Sequence, residues 1–319
     1  MSKYTRLAIA IPCFNEEDSL PNTLSVLPKQ IEGIDEIETM IIDDGSSDRT
    51  VDVASWNGVN HIVKLNRHQG LASAFKMGLS EAVKLGADII VNTDADNQYS
   101  ADDIPALIKP ILENKADIVI GARPIQDIKS FSPLKKFLQK LGSSVMRFVS
   151  SADVQDAPSG FRAFNKEAAT LLNVFDKYTY TMETIIQAKP KGLEIVSVPI
   201  HTNPDVRKSR LVKNMFDYVK NSIFTMLRIF IIYRPFRFFI TIATLALLIG
   251  VAIGARFLYY FCTGTGVGHI QSLILSAILI ISGVQIALIA VLADLLAINR
   301  KLIEDIQVRV KKIENKIIN

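Results

Sequence analysis

The sequence predicts an α/β domain built on a mostly parallel sheet, followed by a helical hairpin long enough to cross a membrane. Three observations carry this. Short apolar runs alternate with helical stretches over short connections through the first two-thirds of the chain, the pattern of a sheet covered on both faces. Acid-rich motifs follow three of those apolar runs. Two long apolar stretches occupy the last third, each about 20 residues or more and sufficient to span a bilayer.

Composition agrees. The 319 residues are 49% hydrophobic, and the mean hydropathy of +0.26 is high for a soluble enzyme. The excess lies towards the end. Residues 211–319 hold 12 Lys and Arg against 5 Asp and Glu, while the first 210 hold 24 against 27. An acidic part is joined to a basic, apolar one, unlike the evenly basic surface of a nucleic-acid binder, so no nucleic-acid partner is expected. Cys13 and Cys262 fall one in each part, without a CxxC pair. They indicate neither a zinc site nor a disulfide framework, and they fit a reducing compartment for the first part.

In chain order, Leu7-Ala-Ile-Ala-Ile11 is too short for a signal peptide and is stopped by Pro12, so it reads as a first strand. A helix is expected over Glu16–Gln30 and a second strand over Glu38–Ile42. Asp48 is placed to cap a helix running towards Trp56. His61–Leu65 is a third strand, and Gly70–Leu85 a helix with small residues on one side. Asp88–Thr93 is an apolar run that reads as a buried strand. A helix from Asp102 and a strand over Asp117–Gly121 follow.

The fourth strand leads into Asp94-Ala95-Asp96-Asn97-Gln98. Two carboxylates one residue apart then sit at the carboxyl end of a strand, the edge at which open α/β sheets bind ligands. Carboxylate oxygens suit hard cations such as Mg²⁺ or Mn²⁺, and Mg²⁺ keeps open positions for substrate phosphates. A turn rich in Asp and Asn fits the same five residues. What favours a ligand site is the company the motif keeps. Ile11-Pro12-Cys13-Phe14-Asn15-Glu16 ends strand one, and Asp43-Asp44-Gly45-Ser46-Ser47-Asp48 ends strand two.

In order and spacing these three motifs resemble the family 2 glycosyltransferases of the GT-A fold, a Rossmann-like domain with a mostly parallel sheet. Within that family the chain resembles dolichol-phosphate mannosyltransferase and the bacterial polyprenyl-phosphate glycosyltransferases, over about residues 5–210. The resemblance implies a metal-dependent, inverting hexosyltransferase that takes a UDP-hexose or GDP-mannose. It implies transfer to an undecaprenyl or dolichyl phosphate at the cytoplasmic face. A diacylglycerol lipid or a cell-surface glycan is the alternative acceptor, and a non-catalytic membrane adaptor the third reading.

Residue roles follow from chemistry and from that resemblance. A pyrimidine or guanine base presents ring N–H donors, so its pocket needs an acceptor. Asp44 is the candidate, unless it only caps its loop. Pro12, Asn15 and Glu16 join it as nucleotide-binding candidates, with Asp94 at the ribose. Asp94, Asp96 and Gln98 form the expected metal set. Asn66-Arg67-His68-Gln69-Gly70 precedes a helix whose backbone N–H groups can receive phosphate; His68 itself reads as a surface residue. Relatives carry a Lys just after that glycine where this chain has Leu71.

Arginine grips phosphate through a planar fork. By resemblance Arg123 and Arg207 hold the lipid phosphate and count with Asp96 as catalytic, with Arg162 and Arg210 as further phosphate ligands. A phosphate monoester is already an anion near neutral pH, its second pKa being about 6. Such an acceptor needs positioning rather than a general base. Glu183 lies where many family members place an acid, although a charged helix face explains it more simply.

The expected domain division is a catalytic domain at 1–210, an amphipathic interface helix at 211–235, two transmembrane helices at 236–256 and 270–298, and a cytosolic amphipathic tail helix at 299–319. Ser132–Val149 carries a weaker apolar stripe amid lysines. Arg228, Arg234 and Arg237 flank the first span, and Arg300, Lys301, Arg309, Lys311 and Lys312 follow the second. The positive-inside rule then puts both ends in the cytoplasm. In the tail, Ile303, Ile306, Val310, Ile313 and Ile317 fall nearly in heptad register, suited to pairing with a second copy or packing on the chain's own domain.

Overall fold

The computed structural model describes residues 4–124, 143–144, 147, 154–174, 180–203, 224, 227–228, 231–264 and 266–318. The stripe at Ser132–Val149 and the interface helix at 211–235 lie largely outside the described residues, and Arg207 and Arg210 wholly so. The chain forms two compact units, Met1–Ile223 with Gln307–Asn319, and Phe224–Ile306.

The first unit holds a sheet of seven described strands in the order β3-β2-β1-β4-β6-β5-β7. These are β1 (Arg6–Cys13), β2 (Glu36–Asp43), β3 (His61–Lys64), β4 (Ile89–Asn92), β5 (Ile118–Ala122), β6 (Arg162–Asn165) and β7 (Ile195–Pro199). The pairs β1/β2, β1/β4, β2/β3 and β5/β7 are parallel. Among the described strands only β6 runs antiparallel, between β4 and β5. The sheet is thus mostly parallel, as the alternation of elements predicts. Leu7 to Cys13 is buried at every residue, the continuous apolar run of a strand covered on both faces.

Helices α1 (Leu20–Ser25), α2 (Thr50–Trp56), α3 (Leu71–Lys84), α4 (Ile104–Leu112), α5 (Lys166–Leu171) and α6 (Tyr180–Ala188) cover the sheet. Helix α1 is much shorter than the expected Glu16–Gln30. Pro21 suits a first turn and Pro28 stops the helix, so Glu16 to Ser19 form a turn instead, with the Ser19 and Leu20 amides on the Glu16 carbonyl. The small residues of α3 face inwards. A Cβ on Gly78 would lie 3.0 Å from Ile42 Cδ1, so glycine there lets α3 pack close against β2. In α6 the expected charged face is absent, because Glu183 is buried, only 5% exposed.

The second unit holds α7 (Pro235–Cys262) and most of α8 (Ile270–Ile318). Both helices contain stretches long and apolar enough to cross a membrane, with mean hydropathies of 2.5 and 2.6. They approach closely through small residues. Ala243 and Ala290 are fully buried, and a Cβ on Gly283 would lie 2.7 Å from the Leu247 side chain. Ser276 Oγ donates to the Gly250 carbonyl at 2.7 Å across the pair. Small residues and such hydrogen bonds are the usual means of packing helices where lipid removes the hydrophobic drive. The tail expected as a separate helix from residue 299 instead continues α8 without a break. No Gly or Pro occurs after Gly283, so nothing in the sequence interrupts it.

Candidate active site

Strand β1 lies between β2 and β4, all three parallel, so their carboxyl ends share one edge. Three loops meet there. The first two lace together. Asn15 sits in the left-handed region at φ 54°; its amide donates to Ser46 Oγ at 2.9 Å, and its side-chain oxygen accepts from the Ser47 amide at 2.8 Å. The Glu16 amide donates to Thr50 Oγ1 and the Glu17 amide to Asp48 Oδ2. Burial works against the Asp48 charge, but hydrogen bonds from Thr50 and Glu17 hold its carboxyl below the usual range. Asp48 thus ties the two loops and accepts from the Thr50 amide and hydroxyl at the start of α2, but the N-cap position falls on Arg49, one residue later than expected. The buried Glu16 carboxylate accepts from the Ser19 hydroxyl. Pro12 is buried inside β1 opposite Ile42 rather than presented at the rim, where Phe14 is the exposed residue. Burial, then the Glu16 charge, pushes the Cys13 thiol well up, so it is an inert core residue.

Asp44 is 2% exposed, and its carboxylate is already engaged. Oδ1 accepts from the Gln69 amide at 2.8 Å; Oδ2 accepts from the Gly70 amide at 2.8 Å and faces His68 Nδ1 at 2.8 Å. This corrects two expectations. The Gln69 and Gly70 amides serve Asp44, not a phosphate, and Asp44 acts first as the anchor of the loop before α3. Gly45 makes the arrangement possible. It has φ 75°, and a Cβ there would stand 2.7 Å from the His68 amide nitrogen. His68, read from sequence as a surface residue, stacks on Phe14 with ring centroids 3.9 Å apart. No local pattern signals this, because His68 and Phe14 come from different loops.

The third loop carries Asp94 and Asp96. Gly160, in the turn before β6, lies directly against Asp94: a Cβ on it would be 3.2 Å from Oδ1 and 3.3 Å from Oδ2. Asn92 Nδ2 holds the Gly160 carbonyl at 2.9 Å, and the Gly160 amide donates to Tyr99 Oη at 3.1 Å. Burial raises the Asp94 pKa from 3.8 to about 7; the neighbouring Asp96 charge adds to the rise and Arg123 opposes it. Asp96 Oδ1 accepts from the Gln98 amide at 3.1 Å, shaping a turn in which Asn97 takes φ 55°. Among the described residues no group of three or more His, Cys, Asp or Glu converges on one point. Two crowded carboxylates with oxygen-only donors, one of them destabilised by the other's charge, suit a divalent cation that takes its remaining ligands from substrate and water.

Of the expected phosphate-binding arginines, Arg162 is misassigned. It is fully buried, and its guanidinium donates to the carbonyls of Ser159, Thr181 and Ala157 and to Thr184 Oγ1 at 2.6–2.7 Å. Burial draws its pKa down to about 10. It braces the turn beneath the site and has no surface for a lipid. Arg123 does lie beside Asp94, but its fork grips the buried Asp156.

Comparison with known proteins bears on the family and the fold. The model of Glycosyl transferase family 2 matches residues 8–172. The UDP-N-acetylglucosamine–dolichyl-phosphate N-acetylglucosaminyltransferase of Methanococcus voltae is 35% identical over 216 residues, covering 61% of this chain and 84% of that protein. The dolichol-phosphate mannosyltransferase of Pyrococcus furiosus is 31% identical over 227 residues, 68% of this chain and 62% of that one. Glucosyl-3-phosphoglycerate synthase from Mycobacterium tuberculosis, solved with Mn²⁺, UDP-glucose and phosphoglyceric acid, superposes with a TM-score of 0.55 at 16% identity, over 71% of this chain and 79% of that one. That likeness establishes a GT-A-like fold. With its family model covering more than half the chain and its acids gathered at one sheet edge, this protein belongs to glycosyl transferase family 2.

Proposed function

We propose that this protein transfers a hexose from a nucleoside diphosphate sugar to a polyprenyl phosphate at the cytoplasmic face of a membrane. The observation that carries the reading is the Asp94–Asp96 pair at the carboxyl edge of the sheet. It occurs in a chain whose relatives in Methanococcus and Pyrococcus are named for sugar transfer to dolichyl phosphates and which bears two membrane-length helices.

Asp94 and Asp96, with Gln98 as a neutral oxygen donor, would hold Mg²⁺ or Mn²⁺. Such an ion neutralises charge that develops on a departing diphosphate. Around it, Asn15 and Asp48 tie the first two loops and Asp44 fixes the start of α3. The rim at Phe14 and His68, with the buried Glu16 behind it, is the surface assigned to the nucleoside. The Leu71 and Ala72 amides, the next at the α3 N-terminus after the two engaged by Asp44, are the backbone donors suited to phosphate. Arg207 and Arg210 keep the assignment to the lipid phosphate, while Arg123 contributes by holding Asp156. The acceptor is an anion at neutral pH, so no side chain is assigned as a general base.

The test offers purified protein in lipid a panel of UDP-glucose, UDP-galactose, UDP-N-acetylglucosamine and GDP-mannose. Undecaprenyl phosphate, dolichyl phosphate, diacylglycerol or 3-phosphoglycerate serves as acceptor, with and without chelator. Labelled sugar entering the organic phase only with a lipid phosphate, and lost on chelation, is the expected result. Transfer to diacylglycerol or phosphoglycerate but never to a lipid phosphate overturns it.

A further inference from the structure

The loop bearing Asp94 and Asp96 is not held only by the strand it follows. After β7 the chain passes alongside its far arm. Tyr99 and Thr202 form an antiparallel bridge, and the Ser100 amide donates to the His201 carbonyl at 3.3 Å. The Asn203 amide donates to the Gln98 carbonyl at 2.9 Å. The Asn203 side chain reaches further in: Nδ2 donates to the Asn97 carbonyl at 2.9 Å and lies 3.5 Å from both Asn97 Oδ1 and the Tyr99 carbonyl. The passing segment is itself pinned on its other side. Asp103 Oδ2 accepts from the His201 amide at 2.5 Å, and Asp103 Oδ1 lies 2.9 Å from His201 Nδ1.

Asn97 is the residue of the loop that this hold reaches. It sits at φ 55° between Asp96 and Gln98, in the left-handed region that asparagine adopts more readily than most L-residues. Its conformation sets the directions in which Asp96 and Gln98 project. The near arm is tied by Thr23 Oγ1 on the Ala95 carbonyl at 2.8 Å and by Gly160 under Asp94. The far arm depends on a partner 106 residues away in the sequence. We infer that Asn203 is a positioning residue: its side-chain amide holds the Asn97 peptide so that Asp96 and Gln98 face a divalent cation together with Asp94. This rests on the metal site proposed above and adds a residue that acts on the loop without touching substrate.

The experiment measures Mn²⁺ binding to the full-length, detergent-solubilised protein by the EPR signal of free Mn²⁺, alone and with UDP or GDP. Wild type is compared with Asn203→Ala, Asn203→Asp and Asp96→Asn. Residues that orient metal ligands from behind change affinity by about 10- to 100-fold when removed, and a weakening of that order is expected for Asn203→Ala. Asn203→Asp keeps the size and the backbone contacts but loses the donor, so it weakens binding as well and serves if the alanine variant does not fold. Thermal midpoints near wild type in either variant, with transfer activity restored by excess Mn²⁺, separate positioning from a general loss of structure. Unchanged Mn²⁺ affinity in a folded Asn203 variant, beside a wild type that binds and an Asp96→Asn that does not, overturns this inference and leaves the metal site standing. A wild type that binds no Mn²⁺ with either nucleotide overturns both.

Discussion

Arg123 clasps Asp156 bidentately, Nε to Oδ2 at 2.6 Å and Nη2 to Oδ1 at 3.0 Å, with both side chains buried. The Arg123 amide reaches the same carboxylate at 3.3 Å, and the Asp156 carbonyl accepts from the Ser159 amide. The pair therefore joins the end of β5 to the turn that delivers Gly160 to Asp94. Although burial works against its charge, the bidentate Asp156 carboxylate keeps the Arg123 guanidinium firmly protonated. Removing one partner of a buried pair leaves an uncompensated charge, which costs about 3–5 kcal/mol. Asp156→Ala is expected to destabilise the protein by that order in denaturant titrations, and to lose transfer activity with it.

Gly160 leaves room for one carboxylate. An alanine there puts its Cβ 3.2–3.3 Å from both Asp94 oxygens and 3.2 Å from Tyr180 Oη. Those contacts are tighter than ordinary packing, and the Gly160 peptide is held by Asn92 and Tyr99. The carboxylate must therefore move. Gly160→Ala is expected to lower transfer at least tenfold and raise the Mn²⁺ concentration for half-maximal activity, with the circular dichroism spectrum unchanged. Wild-type metal dependence in this variant contradicts the placement of Asp94 as a ligand.

Asp94 gives the site a pH signature. Its pKa is raised from 3.8 to about 7 in the folded, metal-free chain. Between about pH 4 and pH 7 the folded protein retains a proton that the unfolded chain has lost, so Asp94's contribution to stability falls as pH rises through that window. Above pH 7 the contribution is flat. A cation must displace the proton below pH 7. Calorimetry in buffers of different ionisation enthalpy should show Mn²⁺ binding release close to one proton at pH 6 and almost none at pH 8. Asp94→Asn should abolish that release.

Arg162 predicts an effect on folding, not on lipid affinity. Its removal takes a donor from the Ser159, Ala157 and Thr181 carbonyls and from Thr184 Oγ1; the Thr181 carbonyl keeps the Thr184 hydroxyl, and each buried group left unsatisfied costs about 1–3 kcal/mol. Arg162→Ala is expected to lower the thermal midpoint by many degrees. If the variant folds normally and only its KM for the lipid phosphate rises, Arg162 is a ligand after all.

The alternation of apolar runs and acids at strand ends was readable along the chain because both are local. A buried parallel strand must be continuously apolar, and Ile89–Asn92 followed by Asp94 and Asp96 is legible as a strand meeting a ligand edge. The two long apolar helices were legible for the same reason, since each is an unbroken apolar run of membrane-crossing length. What the chain itself cannot display is which side chains share a hydrogen bond across long separations. Asp44 on the Gly70 amide, Asn92 on Gly160 and Asn203 on Asn97 link residues 26, 68 and 106 positions apart. Arg162 looks in sequence like any phosphate-gripping arginine, and Asn203 like any loop residue. Periodicity and composition were enough to specify the elements and the acids at their ends. The strand order, with antiparallel β6 inserted between β4 and β5, decided that Arg162 is sealed beneath the site and that Gly160 lies against Asp94. Hydrogen-bond partners are chosen by proximity in space, and only the assembled sheet creates that proximity.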